Sequence, residues 1–141
     1  MKFRLISRVL GIGLIAFSFL QLTPIIVSII YNEDNIVAFA YSFLITLAFG
    51  SFLYLVNFEK KYEGIRVKEG FLLTVLLWLF FTIFATLPLI FGSKSGLSIV
   101  SAYFEATSGL TTTGATIFSD LSGEYYSILF YRGLLQWIGG L

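Results

Sequence analysis

Three uncharged apolar runs, each long enough to cross a lipid bilayer as a helix, constrain this sequence most strongly. They are Val9–Tyr31, Ile36–Phe58 and Phe71–Phe91. The hydrocarbon core of a bilayer is about 30 Å thick and needs about 20 apolar residues in a helix. Apolar residues make up 57% of the chain and charged residues only 12%. Because a soluble domain of this size cannot bury so much apolar surface, the sequence predicts an all-α polytopic membrane protein.

Two prolines lie inside these runs, Pro24 in the first and Pro88 near the end of the third. Membrane helices tolerate proline when neighbouring groups bond to the freed carbonyl, so we expect kinks at both positions and a break at neither. The first run exceeds the roughly 7–15 residues of a signal-peptide core, which favours a retained spanning helix.

Basic residues are distributed unevenly among the loops. They precede the first run and separate the second from the third, at Lys2, Arg4, Arg8, Lys60, Lys61, Arg66 and Lys68. The loop between the first two runs, "NEDN", has no cation. The positive-inside rule places the amino terminus in the cytoplasm and the chain after Phe91 on the outer side. Tyr31, Tyr125 and Tyr126 are then expected at the outer headgroup level.

The segment "SIVSAYFEATSGL", residues 98–110, is too short and too polar to span a membrane but is typical of a helix that begins at Ser98 or Ser101. It is followed by "TTTGAT", by a polar loop and by a fourth apolar segment from Tyr125. Half-length helices occur at membrane depth only where protein or a water-filled cavity surrounds them. The order indicates a helix–pore loop–helix unit. We therefore divide the chain into residues 1–69, an amino-terminal helix pair with its loop, and residues 70–141, the pore-loop unit.

The threonine–glycine run, Thr111, Thr112, Thr113 and Gly114, has the properties of a cation-binding backbone. Successive carbonyls can replace the hydration shell of an ion in a pore. β-Branched threonines favour extended backbone, glycine supplies freedom in φ, and the carboxyl end of a preceding helix is partially negative. One copy cannot surround an ion, so either four chains assemble or four related loops follow one another on a longer chain.

Two charged residues near this run have two interpretations each. Glu105 either lies in a wet outer vestibule or supports the run by accepting hydrogen bonds from backbone amides or threonines. Arg132 either extends towards the outer interface or pairs with Glu105 or Asp120. In the last helix, Gly133, Gly139 and Gly140 are expected to allow close helix packing.

Other classes of function have less support. The chain contains no cysteine and no histidine, and its net charge is +1, so nothing predicts a cofactor or a nucleic-acid partner. An intramembrane enzyme would need paired carboxylates, a nucleophile with its base, or metal ligands. A tetrameric channel subunit and a structural membrane protein without transport activity remain as alternatives.

The residues "YFEATSGLTTTGAT" and "YRGLLQWIGGL" resemble the first repeat of the bacterial Trk-type potassium uptake subunits, within the Trk/Ktr/HKT superfamily. Members carry four helix–pore-loop–helix repeats on one chain, and the Trk-type branch has two extra amino-terminal helices. The resemblance implies a filter wall formed by Thr111, Thr112, Thr113 and Gly114, with potassium at Thr112, Thr113 and Gly114 and support from Glu105 and Arg132. It also implies that the chain is an amino-terminal fragment of a longer protein.

The resemblance further implies potassium uptake across the cell membrane, by symport or by channel-like uniport. It implies a homodimer of full-length chains and a cytosolic nucleotide-binding regulatory subunit of the TrkA type. Ala115 and Thr116 follow Gly114 where tetrameric potassium channels have an aromatic–glycine pair. A shorter filter has fewer coordination rings, so weaker discrimination against sodium is expected.

Overall fold

The computed structural model describes residues 2–57 and 64–141, and all of its regular secondary structure is helical. Phe58, Lys60 and Lys61 lie outside the described residues. The helices are α1 (Phe3–Leu20), α2 (Thr23–Ile30), α3 (Ile36–Val56), α4 (Val67–Gly92), α5 (Ile99–Leu110) and α6 (Tyr126–Gly140).

In the described part of the chain, three segments are long and apolar enough to cross a membrane: Phe3–Ile30, Ile36–Val56 and Val67–Gly92. They correspond to the three apolar runs, which confirms the prediction of an all-α polytopic membrane protein. The first and third begin earlier than the runs, so that Arg4 and Arg8 form part of α1.

Pro24 interrupts the first span, so the expectation of a helix without a break is wrong at this position. α1 ends at Leu20 and α2 begins at Thr23, separated by a turn of two residues. Pro24 has no N–H, and its ring displaces the carbonyl four residues earlier, which is that of Leu20. The Thr23 hydroxyl donates to this carbonyl over 2.7 Å, so the freed acceptor is satisfied locally.

Pro88 has a different effect, because α4 continues through it to Gly92, as expected. The carbonyl that Pro88 leaves without a backbone donor belongs to Phe84. It accepts a hydrogen bond of 3.0 Å from the side-chain amide of Gln21, which lies in the turn between α1 and α2. The amino-terminal helix pair is therefore bonded to α4 at the carbonyl that this proline leaves free.

Small residues set the distances between helices. Gly11 of α1 and Gly50 of α3 face each other so closely that a methyl group on Gly11 would lie 2.7 Å from the Gly50 carbonyl oxygen. Ala102 and Ala106 of α5 are fully buried in the same hydrophobic core as Ala85 and Leu89 of α4. Close approach of this kind supplies the dispersion energy that stabilises helix pairs in lipid.

The ends of the helices gather at two opposite sides of the protein. On one side the Lys2 amide donates to Glu69 at the start of α4 over 3.1 Å. On the other side the Asn35 amide donates to the Gly92 carbonyl at the end of α4 over 3.2 Å and to the Ser127 hydroxyl at the start of α6 over 2.7 Å. The chain between Gly92 and Ser127, which contains α5, thus leaves and returns to the same side.

The loop that leads from α4 to α5 is held by the buried carboxylate of Glu124. This carboxylate accepts hydrogen bonds from the Lys94 amide over 2.6 Å and from the Ser93 and Ser95 hydroxyls, each over 2.9 Å. Burial raises the pKa of Glu124, but the donors outweigh it, so the pKa lies below its ordinary value. Glu124 is therefore charged at neutral pH and fixes the entrance to α5.

Candidate ion-binding site

The half-length helix α5 begins at Ser98. The Ser98 hydroxyl accepts a hydrogen bond of 3.2 Å from the Ser101 amide, which identifies Ser98 as the N-cap of the two candidates. At about 1.5 Å per residue, the twelve residues of α5 extend about 18 Å, which is little more than half of a bilayer core. α5 ends at the buried Leu110, and the threonine–glycine run begins at the next residue.

The backbone amides of Thr111–Gly114 all turn back towards the end of α5. Those of Thr111 and Thr112 donate to the carbonyls of Thr107 and Gly109 over 2.9 and 3.0 Å. Those of Thr113 and Gly114 both donate to the Ser108 carbonyl, over 3.0 and 3.3 Å. This pattern closes the helix as a Schellman motif, with Thr112 in the position that glycine usually occupies.

Thr112 and Gly114 have positive φ, +59° and +75°, whereas Thr111, the first residue of the run and the C-cap of α5, has −78°. The expectation that β-branching keeps the threonines extended is therefore wrong for Thr111, whose ψ is 1°, and it is also wrong for Thr112. Helix closure requires a left-handed residue at this point, and that requirement overrides the preference of the side chain. Gly114 fits the expectation, since glycine adopts positive φ without steric cost.

The direction of the amides fixes the direction of the carbonyls. In a trans peptide the C=O of one residue points opposite to the N–H of the next. The carbonyls of Thr111, Thr112 and Thr113 therefore point away from α5. No donor in residues 2–57 and 64–141 bonds to them, and the whole run is exposed on the surface of the chain. They form a short row of available oxygens beside the partially negative end of a helix.

Glu105 lies on the buried face of α5, with only 2% of its surface exposed. Its Oε1 accepts hydrogen bonds from the Thr116 hydroxyl, over 2.7 Å, and from the Ile117 amide. Of the two interpretations from the sequence, the structure agrees with hydrogen bonding to a threonine and a backbone amide. The bonded residues follow the run and are not part of it. The Glu105 carboxylate points to the return segment and is not directed at Thr111–Gly114.

Arg132 of α6 pairs with the other oxygen of the same carboxylate. Its Nε donates to Glu105 Oε2 over 2.9 Å, and its guanidinium lies 5.6 Å from the centre of the Phe118 ring. Arg132 therefore points inwards and does not extend to the interface. Asp120, the other candidate partner, instead accepts hydrogen bonds from Ser122, which lower the pKa of Asp120.

Two residues near the run were not identified from the sequence. Ser108 is buried, and its hydroxyl donates to the Ala115 carbonyl over 2.6 Å, so the row of free carbonyls ends before Ala115. Its position three residues after Glu105, on the same helix face, was the available signal. Gln136 of α6 faces Gly114, since a methyl group there would lie 3.8 Å from the Gln136 amide nitrogen.

The glycines of α6 have unequal surroundings. A methyl group on Gly139 would overlap the Leu110 carbonyl oxygen at the end of α5. The predicted close packing is therefore present at Gly139, and Gly140 lies beside the Thr112 side chain. Gly133 has no described atom within 4 Å of its methyl position, so the described residues show no close packing there.

Together these contacts hold the threonine–glycine run in place and leave three of its carbonyl oxygens directed away from α5. The amides of the run bond to α5, its side contacts α6, and the segment after it bonds to Glu105. Among the described residues no donor bonds to the carbonyl oxygens of Thr111, Thr112 and Thr113, and backbone carbonyls are hard, uncharged ligands suited to a monovalent cation.

Known proteins match this chain along its whole length. A family model described as the cation transport protein TrkH matches residues 35–141. The Trk system potassium uptake protein TrkH of Escherichia coli strain K12 is 43% identical over 141 residues, which are 100% of this chain and 29% of that protein. The protein of the same name from Halomonas elongata is 38% identical over 100% of this chain and 29% of its own length.

A solved structure agrees with these matches. The crystal structure of the potassium transporter TrkH from Vibrio parahaemolyticus superposes with a TM-score of 0.93 and is 37% identical in sequence. The match covers 99% of this chain and 30% of that one. The chain thus spans less than a third of the length of these relatives.

Proposed function

The chain belongs to the TrkH family of cation transport proteins, and on this basis we propose that it contributes one wall of a filter through which potassium enters the cell. Its relatives are named potassium uptake proteins. In this proposal the carbonyls of Thr112, Thr113 and Gly114 bind potassium, Thr111 begins the wall, and Glu105 and Arg132 support it. Three further walls come from the remainder of a full-length chain.

The observation that carries this proposal is the direction of the peptide groups in Thr111–Gly114. Their amides are all bonded to α5, while the carbonyls of the first three residues point away and have no described donor. A carbonyl without a hydrogen-bond donor raises the free energy of the protein wherever water is excluded. A dehydrated cation provides the missing interaction, and four such walls would surround it with oxygens.

We propose that the amino terminus and the loop before α4 lie in the cytoplasm and that the loops at Glu33 and Glu124 lie outside. The contact between Lys2 and Glu69 supports a shared side for the first pair of segments. The contacts of Asn35 with Gly92 and Ser127 support a shared side for the second. The basic residues in the amino terminus and in the loop before α4 place these two segments in the cytoplasm under the positive-inside rule.

The proposal is tested by complementation of a strain that lacks potassium uptake, with a full-length chain that carries this segment. We expect Gly114→Ser to abolish growth at low potassium. Serine at φ +75° costs about 1–2 kcal/mol and would shift the carbonyls beside it. The space around Gly114 is open enough for a side chain, so the effect would come from the backbone.

Gly96→Ser is the matched control. Gly96 also has positive φ, +65°, and no described atom lies within 4 Å of its methyl position, but it belongs to the loop between α4 and α5. The two variants therefore carry the same strain at different places. Normal growth of Gly96→Ser beside failure of Gly114→Ser would support the filter, whereas equal growth of both would contradict it.

The resemblance to the Trk-type proteins also leads us to propose a homodimer of full-length chains with a cytosolic nucleotide-binding subunit of the TrkA type. Copurification of a differently tagged second copy and of that subunit from membranes would test both partners.

A further inference from the structure

Gln21 is a fully buried amide in the turn that interrupts the first membrane span. Both ends of its side chain are used. Its Nε2 donates to the Phe84 carbonyl over 3.0 Å, and its Oε1 accepts from the Thr46 hydroxyl over 3.0 Å. It therefore joins α3 and the amino-terminal turn to α4, at the middle of the bundle.

The Phe84 carbonyl is the one that Pro88 leaves without a partner. In an unbroken helix the amide of residue 88 would donate to it, but proline has no N–H and its ring presses against that carbonyl. Lipid offers no water as a substitute donor, so a freed carbonyl needs a side chain from elsewhere. At Pro24 the neighbouring Thr23 fills this role, whereas at Pro88 the donor is distant in sequence.

The next carbonyl of α4 is bonded to α6. The buried Tyr131 hydroxyl of α6 donates to the Ala85 carbonyl over 2.8 Å. Tyr131 directly precedes Arg132, which pairs with Glu105. The same stretch of α4 also presents Ala85 to the core in which α5 packs.

We propose that Gln21 is a positioning residue for the pore loop: its amide replaces the missing amide of Pro88, and the amino-terminal helix pair thereby fixes the part of α4 on which α5 and α6 rest. This inference deepens the proposed function and depends on it. It gives the first two membrane spans, which contain none of the filter residues, a specific part in ion selectivity.

The test uses full-length chains in a strain that lacks potassium uptake and measures the entry of potassium and of sodium. Gln21→Leu keeps the size of the side chain and removes the amide. We expect it to raise the ratio of sodium to potassium entry by about tenfold, a factor that corresponds to the loss of one buried hydrogen bond. Pro88→Ala returns a backbone donor to the Phe84 carbonyl, so the double variant should recover the normal ratio.

Asn57→Leu is the matched control for a general loss of helix packing. Asn57 is also an amide that joins α3 to α1, through the Ser7 hydroxyl over 3.0 Å, but it does not contact α4 at Pro88. We expect its ratio of sodium to potassium entry to stay unchanged. Pro88→Ala alone should also keep the normal ratio.

A normal ratio in Gln21→Leu, or a defect that Pro88→Ala does not reverse, would overturn the inference. If Gln21→Leu fails to insert into the membrane, the amount of inserted protein is measured in place of the ratio. The inference then requires that Gln21→Leu combined with Pro88→Ala inserts normally. Gly114→Ser separates this inference from the proposed function. A chain that is insensitive to Gly114 contradicts the filter, whereas sensitivity to Gly114 with insensitivity to Gln21 contradicts only the role of Gln21.

Discussion

Glu105 uses both of its carboxylate oxygens inside the protein. One oxygen accepts from Thr116 and Ile117, and the other accepts from Arg132. A buried ion pair repays its desolvation only when additional hydrogen bonds satisfy the remaining lone pairs, and here they do. Exchange of the two charges should therefore not restore a damaged site, because arginine at position 105 could not accept from Thr116 and Ile117.

We expect Glu105→Gln to destabilise the pore loop by up to about 3 kcal/mol, because it leaves the largely buried Arg132 guanidinium without its anionic partner. Potassium uptake by the full-length chain should fall to background. The thermal stability of the purified protein in detergent and the uptake of potassium by cells provide the two measurements.

Asp120→Asn is the control, since Asp120 is an exposed carboxylate in the loop after the run and, among the described residues, accepts hydrogen bonds only from Ser122. It should behave as the unaltered protein. Stability and uptake of Glu105→Gln equal to those of Asp120→Asn would show that the ion pair contributes nothing.

At the scale of residues, the sequence predicted which charged side chains have partners better than it predicted backbone conformation. An acid at membrane depth is costly, so Glu105 was recognisable as a residue with a partner, and Arg132 was among the few cations available to it. The left-handed conformation of Thr112 was not recognisable. It results from the closure of α5 onto Ser108, and β-branching alone predicts the opposite conformation.

At the scale of elements, α5 and α6 form one unit because a glycine allows backbone contact. Gly139 touches the Leu110 carbonyl, and Gly109 of α5 faces Leu135 of α6. The length of α5 was predictable from residue types and spacing, and Ser98 was one of the two N-cap candidates that the sequence offered. Which glycine of α6 makes the contact was not predictable, since Gly133, Gly139 and Gly140 differ only in what the fold brings beside them.

We expect Gly139→Ala to displace the carboxyl end of α5 and to abolish potassium uptake, because the added methyl group would overlap the Leu110 carbonyl. Overpacking of a tight contact costs about 1–3 kcal/mol or more. Gly133→Ala adds the same methyl group to the same helix where no described atom lies within 4 Å, so it should leave uptake intact. Potassium uptake of the two variants is measured at equal expression. Equal uptake by Gly139→Ala and Gly133→Ala would show that the contact at Gly139 is not required.

At the scale of the whole molecule, the two halves of the chain are joined by polar contacts as well as by apolar packing. The carbonyl at Phe84 bonds to Gln21, and the first amides of α6 bond to the Glu33 carboxylate in the loop after α2. A carboxylate at a helix amino terminus is favoured by the helix dipole. The number and order of the spans were readable from the apolar runs, but these long-range partners were not, because sequence spacing does not show which helices become neighbours.

The orientation of the molecule gives the last prediction. Positions 64 and 119 are both exposed. The Gly64 carbonyl accepts a hydrogen bond from the Lys2 side chain over 3.5 Å, and Ser119 belongs to the segment that returns to the side of Ser127. This segment contains no cysteine, so Gly64→Cys and Ser119→Cys can be introduced singly into a full-length chain freed of any other cysteine. A membrane-impermeant thiol reagent added to intact cells should label Ser119→Cys and should reach Gly64→Cys only after the membrane is opened. The reverse pattern would place the free carbonyls of the run at the cytoplasmic mouth, and labelling of both from outside would contradict the separation of the two sides.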